Sequence, residues 1–289
     1  MLTQPVREEK IALDGVSLHC VQWGQQGTPV ICIHGLTANA FCFQAFADYL
    51  APSHRVCAYD LRGRGDSEKP AQGYSVPIHA ADLAQLIDAL QLERPVIIGH
   101  SLGALIALYF AAHYPEKLSK LVLIDAGAPY AWKTPEEAPD WLKNAVSRLG
   151  SSTPSYEEYI AHMKAASYLG SYWNEYMDLY FTHDVIQQAD RSVISKVSLP
   201  GIIEESMNTH LARPDEQWGH VQTPTLLLRA GQKLLYENDQ ILSERAAHSI
   251  CQGIASCQYS DFPNLNHYTI IFGVDPGPVE AIASFIQQN

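Results

Sequence analysis

The residues of this 289-residue chain best suited to covalent chemistry lie at Gly99-His100-Ser101-Leu102-Gly103. The Gly-x-Ser-x-Gly pattern sets one hydroxyl between two residues that lack Cβ. A serine hydroxyl is a poor nucleophile at neutral pH. It needs a base within hydrogen-bond reach, and that base needs an acid to orient it. The pattern alone is common in ordinary turns, so its flanks carry the meaning. Val96-Ile97-Ile98 is a β-branched run that predicts a short buried strand, and Leu102 to His113, with Leu105, Leu108 and Ala112, predicts a helix. Strand, tight turn and helix with the serine at the apex make a nucleophile elbow.

The chain holds twelve histidines, so position selects the base. His267 lies in the loop Asp261-Phe262-Pro263-Asn264-Leu265-Asn266-His267, which follows the last predicted strand, Gln258 to Phe262. His34 follows the predicted strand Val30 to Ile33, and Asp125 ends the run Lys120 to Asp125. His34, Ser101 and Asp125 thus all fall at the carboxyl ends of strands, where open parallel sheets bind their ligands. His34 and His100 flank the expected pocket and are read as tuning it, not as moving protons.

The elements that must position these groups alternate. Asp14-Gly15, between Lys10–Leu13 and Val16–Val21, is a hairpin signal. Strands are predicted at Val30–Ile33 and Arg55–Asp60, and helices at Phe41–Leu50 and Ile78–Leu90, the latter with Leu83, Leu86, Ile87 and Leu90 on one face. After the elbow come the strand at Lys120 and, much later, a strand at Thr225–Gly231, a helix at Gln240–Ile250 and a closing helix at Val279–Ile286. This alternation predicts a parallel sheet covered by helices.

Between Pro129 and Trp218 the texture changes. Apolar β-branched runs give way to helical spacing punctuated by Pro135, Pro139, Pro154 and Pro200. Aromatic residues are dense there: Tyr130, Trp132, Trp141, Tyr156, Tyr159, Tyr168, Tyr172, Trp173, Tyr176, Tyr180 and Phe181. We read residues 129–218 as an inserted helical cap on a core domain made of 1–128 and 219–289. A few of the aromatics are expected to face the site and most to pack the cap.

A formal charge of −12 without a Lys/Arg cluster argues against nucleic acid, anionic membranes and polyanionic substrates. No apolar run reaches the roughly 18 residues of a membrane span. Met1 to Lys10 is polar and lacks the apolar centre of a signal peptide, so the expected compartment is the cytoplasm. Of the six cysteines, Cys20, Cys32 and Cys57 sit in strand-like apolar runs, and none of the six makes a Cys-x-x-Cys pair. Neither a metal site nor a disulfide framework is expected, although Cys251 and Cys257 are close enough in sequence to bridge.

Taken together, His34-Gly35, the stretch Asp60-Leu61-Arg62-Gly63-Arg64-Gly65-Asp66-Ser67, the elbow and His267 resemble the α/β-hydrolase fold family along nearly the whole chain. The resemblance implies an eight-stranded, mostly parallel sheet with the cap inserted after the sixth strand. It implies an oxyanion hole made by the main-chain N–H groups of Leu36 and Leu102. It also implies that the Asp60–Ser67 stretch braces the loop beside the site, through Arg62 and two glycine turns.

The chain departs from the family at the acid. The usual carboxylate after the seventh strand is replaced by Leu234 in Gly231-Gln232-Lys233-Leu234-Leu235-Tyr236-Glu237-Asn238-Asp239. Asp125, after the sixth strand, is the favoured acid, and Asp239 and Glu237 are the alternatives. The implied reaction is cofactor-free acyl transfer to water through an acyl-enzyme on Ser101, with a small or medium apolar ester as first-choice substrate. A lactonase or C–C bond hydrolase would use the same triad. A slow or non-catalytic ligand receptor is the reading from a different class. A serine at the elbow disfavours haloalkane dehalogenase and epoxide hydrolase chemistry, which needs a carboxylate nucleophile.

Overall fold

The computed structural model describes residues 2–130, 137–237 and 239–288. The hairpin forms as β1 (Arg7–Leu13) and β2 (Val16–Trp23), antiparallel in a register that pairs Leu13 with Val16. Gly15 turns the corner at φ +78°. There follow β3 (Pro29–Ile33), α1 (Gln44–Leu50), β4 (Arg55–Tyr59), α2 (Val76–Ala89), β5 (Val96–His100), α3 (Leu102–His113) and β6 (Lys120–Ile124). The helix expected from Phe41 is split. Ala40–Phe43 is a 3-10 turn capped by the Asn39 side chain, and α1 begins only at Gln44.

The segment after β6 carries α4 (Asp140–Ser147), β7 (Ser152–Thr153), α5 (Tyr156–Ala165), α6 (Ser167–Gly170), α7 (Glu175–Asp184), β8 (Val185–Gln187), β9 (Val193–Ser195), α8 (Leu199–Asn208) and α9 (Pro214–Gln217). It is mostly helical, as its spacing predicts, but β7, β9 and β8 also pair into a small antiparallel sheet. Val185-Ile186 and Val193-Ile194 are only two β-branched residues each, too short to stand out as strands in the sequence. Trp132 and Pro135 lie outside the described residues. The chain closes with β10 (Thr225–Ala230), α10 (Glu244–Gly253), β11 (Cys257–Phe262) and α11 (Gly277–Gln287). Helix α10 starts later than its spacing suggests because the Ser243 hydroxyl accepts from Ala246 N–H and fixes the first turn.

Eight strands form one sheet in the order β1-β2-β4-β3-β5-β6-β10-β11. β2 is antiparallel to both its neighbours, and the other pairings are parallel. The central strands read as continuous apolar runs because both faces are covered. Val30, Ile98, Val122 and Leu228 face a layer containing Phe46 of α1 and Phe285 of α11. Ile31, Ile97, Leu121 and Leu227 face Leu83 of α2, Leu105 of α3 and Ile250 of α10. From β3 the chain moves to β4 on one side, then returns to β5 on the other. Strand order therefore reverses between β3 and β5, which opens a crevice at their carboxyl ends. Gly35 and Ser101 stand at that point.

One expectation about the cysteines is corrected. Cys251 and Cys257 are joined by a disulfide, their Cα atoms 5.1 Å apart, because α10 turns directly into β11. Cys20, Cys32, Cys42 and Cys57 are buried free thiols. Among the described residues no helix is long and apolar enough to cross a membrane.

Candidate active site

Ser101 sits between β5 and α3 with φ +57° and ψ −122°, a backbone conformation that L-residues rarely adopt. Its N–H donates to the Ile124 carbonyl at 3.1 Å, and its own carbonyl accepts from Ala104 N–H at 2.9 Å. The flanking glycines are required by contact. A Cβ on Gly99 would lie 2.1 Å from the Gly103 carbonyl oxygen, and one on Gly103 would lie 2.0 Å from the Ile33 carbonyl oxygen. The elbow is therefore pressed against both α3 and the end of β3.

His267 is brought from the far end of the chain. Its Nδ1 lies 2.7 Å from Asp125 Oδ2. The loop that carries it is built around Asn266, whose Oδ1 accepts from the N–H groups of Tyr268 and Thr269, each at 3.0 Å. His100 holds the loop from the other side, with Nε2 donating to the His267 carbonyl at 2.8 Å and the two rings 4.4 Å apart. The rings of Trp141 and Tyr268 lie 5.8 and 5.6 Å from the His267 ring. This enclosure has an electrostatic cost. Burial pushes the His267 imidazole down to about 3 and the Asp125 carboxyl up. A neutral His267 with Nδ1–H toward Asp125 leaves Nε2 as a free lone pair.

Asp125 follows the last residue of β6 at φ +52°. Its N–H donates to the Leu228 carbonyl at 2.7 Å, and its Oδ1 accepts from Ala230 N–H at 3.0 Å. Both partners belong to β10, so the neighbouring strand fixes this carboxylate. The loop after β10 serves a different purpose. Asp239 accepts from the N–H groups of Leu234, Leu235 and Tyr236 at 2.7, 2.6 and 2.8 Å and closes that loop on itself. Glu237 pairs with Lys233 at the surface. The structure thus brings Asp125 to His267 and leaves Asp239 and Glu237 with other partners.

The loop after β3 supplies the opposite wall. A Cβ on Gly35 would stand 3.1 Å from Ser101 Cβ and 3.5 Å from its Oγ. Leu36 N–H has no acceptor among the described residues. Leu102 N–H belongs to the first turn of α3, where helices leave their N–H groups unpaired. Leu36, Leu102 and Ser101 line the same cavity. His34 has both ring nitrogens occupied: Nδ1 donates to the Gly35 carbonyl at 2.7 Å, and Nε2 accepts from Leu61 N–H at 3.0 Å. Burial pushes its imidazole down to about 4, which suits this neutral role.

The sequence reading gave the bracing of this loop to Arg62, whereas its main-chain oxygens are held by two other arginines. Arg64, fully buried, donates from Nε to the Leu36 carbonyl at 3.0 Å. Arg148, from the end of α4, donates to the Thr37 carbonyl at 3.0 Å. Arg62 instead makes a two-pronged pair with Asp82 of α2, at 2.7 Å for each bond. Spacing cannot tell two arginines two residues apart which of them turns inward. The glycines do act as expected. Gly63 and Gly65 sit at φ +77° and +48°, and a Cβ on Gly65 would overlap the Asp60 carboxylate.

A cavity of about 890 Å³ opens onto Ser101 and His267. Its walls include Leu105, Leu142, Val146, Ile202 and Phe272, with Glu205 among them. Of the aromatics noted in the sequence, Tyr130, Trp141 and Tyr180 line it. Others pack elsewhere. Trp173 stacks on Phe181 at 5.1 Å, and Tyr168 stacks on Tyr268 at 5.3 Å. Sequence reasoning missed Arg64, Arg148 and Glu205. No local motif marks them, and only the tertiary fold turns them inward.

A family model described as alpha/beta hydrolase fold matches residues 28–274. An uncharacterized protein of Mycobacterium bovis is 38% identical over 101 residues, which cover 35% of this chain and 30% of that protein. A 2-(acetamidomethylene)succinate hydrolase of Mesorhizobium japonicum is 34% identical over 135 residues, 47% of this chain and 48% of that one. The chain therefore spans less than half the length of either relative. Among solved structures, an E-2-(acetamidomethylene)succinate hydrolase superposes with a TM-score of 0.82 at 22% identity, covering 98% of this chain and 99% of that one. An enol-lactonase of Burkholderia xenovorans gives 0.72 at 17% identity, covering 97% and 100%. These two likenesses show the fold.

Proposed function

The chain belongs to the α/β-hydrolase fold family, and from that premise we propose that it is a serine hydrolase cleaving carboxylic esters of small or medium apolar substrates. The supporting observation is that a buried Asp125–His267 pair opens onto the same cavity as the strained Ser101. In this reading His267 Nε2 takes the Ser101 proton as Oγ attacks the ester carbonyl. Asp125 holds the Nδ1–H tautomer and stabilises the imidazolium that forms. The N–H groups of Leu36 and Leu102 receive the developing oxyanion. Donors of this kind are typically worth about 3 kcal/mol each in the transition state. His267 then protonates the departing alkoxide, and water attacks the acyl-enzyme by the same route in reverse.

Residues 129–218 act as the cap that shapes the acyl pocket over the core formed by 1–128 and 219–289. Trp141, lying against both His267 and the cavity, contributes an apolar wall from this cap. The partner is a small molecule. No nucleic acid has a place in this scheme, because an acidic chain repels a polyanion. Lactones offer the same carbonyl to the same groups, and one of the superposable structures is an enol-lactonase. Substrate trials should therefore include both classes.

The test is a fluorophosphonate probe on the folded protein, followed by p-nitrophenyl esters of graded chain length and a set of lactones. Ser101 is expected to label, and Ser101→Ala to abolish both labelling and turnover. A folded protein whose Ser101 does not label would exclude the hydrolase and favour a ligand receptor on the same fold.

A further inference from the structure

Glu205 is a carboxylate in the wall of a largely apolar cavity. It comes from α8, is 1% exposed, and uses only one of its two oxygens. Oε2 lies 2.5 Å from His79 Nε2 and 3.2 Å from Arg64 Nη2. Oε1 is buried and accepts from no group among the described residues. A buried carboxylate oxygen without a donor is costly, and such atoms call for an explanation.

Local charge restricts the donor that fits. Arg64 is fully buried beside Glu205, and its other nitrogens donate to the carbonyls of Leu36 and Arg62. The guanidinium already balances the carboxylate. A second cation would arrive with uncompensated charge and lose its hydration, whereas a neutral O–H or N–H would satisfy Oε1 without that cost. The same wall carries Leu105, Ile202 and Ala212 beside the polar Tyr130, Ser206 and Thr209, none of which donates to Oε1.

We propose that Glu205 Oε1 is the acceptor for a hydroxyl or amide N–H that the substrate carries away from its reacting carbonyl, so that the cavity selects esters bearing one neutral donor over purely apolar ones. This rests on the reading of Ser101 as the reacting group and adds the substrate class to it. Arg64 spans the two ends of the substrate. It holds Glu205 at one end and the carbonyl of Leu36, beside the oxyanion position, at the other.

The donor sense of this site can be inverted by one atom. In Glu205→Gln, the position now held by Oε2 must stay an oxygen, because both its partners are donors. The side-chain NH₂ is then forced into the place of Oε1, where it needs an acceptor.

The experiment measures binding, so it does not depend on turnover. Methyl ω-hydroxyalkanoates, their ω-methoxy ethers and unsubstituted methyl alkanoates of short to medium length are titrated calorimetrically into Ser101→Ala protein. At one chain length the hydroxy ester is expected to bind at least about tenfold more tightly than its ether. Glu205→Gln in the same background, whose NH₂ can donate to the hydroxyl or the ether oxygen, is expected to lose the preference, and Glu205→Met to bind the two alike. Equal binding of all three series at every length, with Glu205 intact, overturns the proposal even if the Glu205 variants fail to fold. Tighter binding of an ω-amino ester than of the hydroxy ester overturns the choice of a neutral donor. Turnover of plain methyl esters by the unmodified protein tests the hydrolase reading separately. A clear hydroxy preference without any turnover would support the recognition role while removing that reading.

Discussion

Asp125 Oδ2 and His267 Nδ1 stand 2.7 Å apart, although 142 residues separate them in the chain. The contact depends on β10. That strand pairs with β6, and its Leu228 carbonyl and Ala230 N–H hold the main chain and the second carboxylate oxygen of Asp125. Asp239 already has three N–H donors of its own loop. Asp125→Asn is therefore expected to lower kcat by about 10³- to 10⁴-fold, since an amide cannot hold the same imidazole tautomer. Asp239→Asn is expected to loosen the loop after β10 and cost activity less than about tenfold. Steady-state ester hydrolysis by the two purified variants decides. Near-full turnover by Asp125→Asn beside a crippled Asp239→Asn would reverse the assignment.

Much of this arrangement is legible in the sequence because it depends on local rules. The β-branched run before Ser101, the Asp14-Gly15 turn and the strand-to-helix alternation each act over a few residues. They place Ser101, His34 and Asp125 at strand ends before any tertiary contact is known. The proposed displacement of the acid is legible only through the family resemblance, with Leu234 standing where a carboxylate is usual. What is not legible depends on long-range packing. Arg64 and Arg62 differ by two positions, and only the fold decides that Arg64 reaches the Leu36 carbonyl while Arg62 meets Asp82. Glu205 looks like any helix carboxylate until α8 buries it against His79. The strands β8 and β9 are three residues each, and pairing with each other, not propensity, makes them strands.

Gly35 is expected to separate activity from stability. Its added Cβ would meet Ser101 Cβ at 3.1 Å and Oγ at 3.5 Å, close enough to displace the hydroxyl by a few tenths of an ångström but not to overlap main chain. Gly35→Ala should therefore lower kcat by about tenfold or more through misplacement of the attacking oxygen, with a small change in unfolding midpoint. Gly103→Ala is the contrast, since its Cβ would fall 2.0 Å from the Ile33 carbonyl oxygen and force the backbone apart. It should destabilise by about 3 kcal/mol, the upper range for overpacking. Urea unfolding beside kinetics on both variants checks the pair. Unchanged turnover in a folded Gly35→Ala would place the Ser101 hydroxyl away from Gly35 in the working enzyme.

Stability should fall steeply on mild acidification. Burial lowers the imidazoles of His34, to about 4, His267, to about 3, and His100. Below pH 6.5 the unfolded chain protonates all three while the fold keeps them neutral, so the unfolded state binds more protons and gains as pH falls. Asp125 acts in the opposite sense. Burial raises its carboxyl, which offsets one histidine at most. His19 is displaced upward, the pull of Asp60 and Glu8 outweighing burial, so its contribution is complete below 6.5 and does not vary in this window. His183, also lowered by burial, adds to the loss, and stability should therefore drop between pH 6.5 and about 4. Urea midpoints measured across that range provide the check. A flat midpoint would mean that His34 and His100 take up protons without leaving the fold.

The strain at Ser101 gives a test that needs no substrate. Its φ of +57° with ψ −122° is a conformation that glycine adopts freely and a residue with Cβ does not. Holding a non-glycine residue there costs about 1–3 kcal/mol. Glycine gives back about 0.5–1 kcal/mol through the greater freedom of its unfolded chain. Ser101→Gly is therefore expected to be more stable than Ser101→Ala by about 1 kcal/mol, and both are expected to be inactive. Comparing the two variants removes the hydroxyl from the question and leaves only the Cβ. If Ser101→Ala proves the more stable in urea, the elbow is relaxed in solution and the hydroxyl is not held out by backbone strain. If Ser101→Gly proves the more stable, the fold gives up stability to keep a side chain at the apex of this turn, as the proposed role of Ser101 as nucleophile requires.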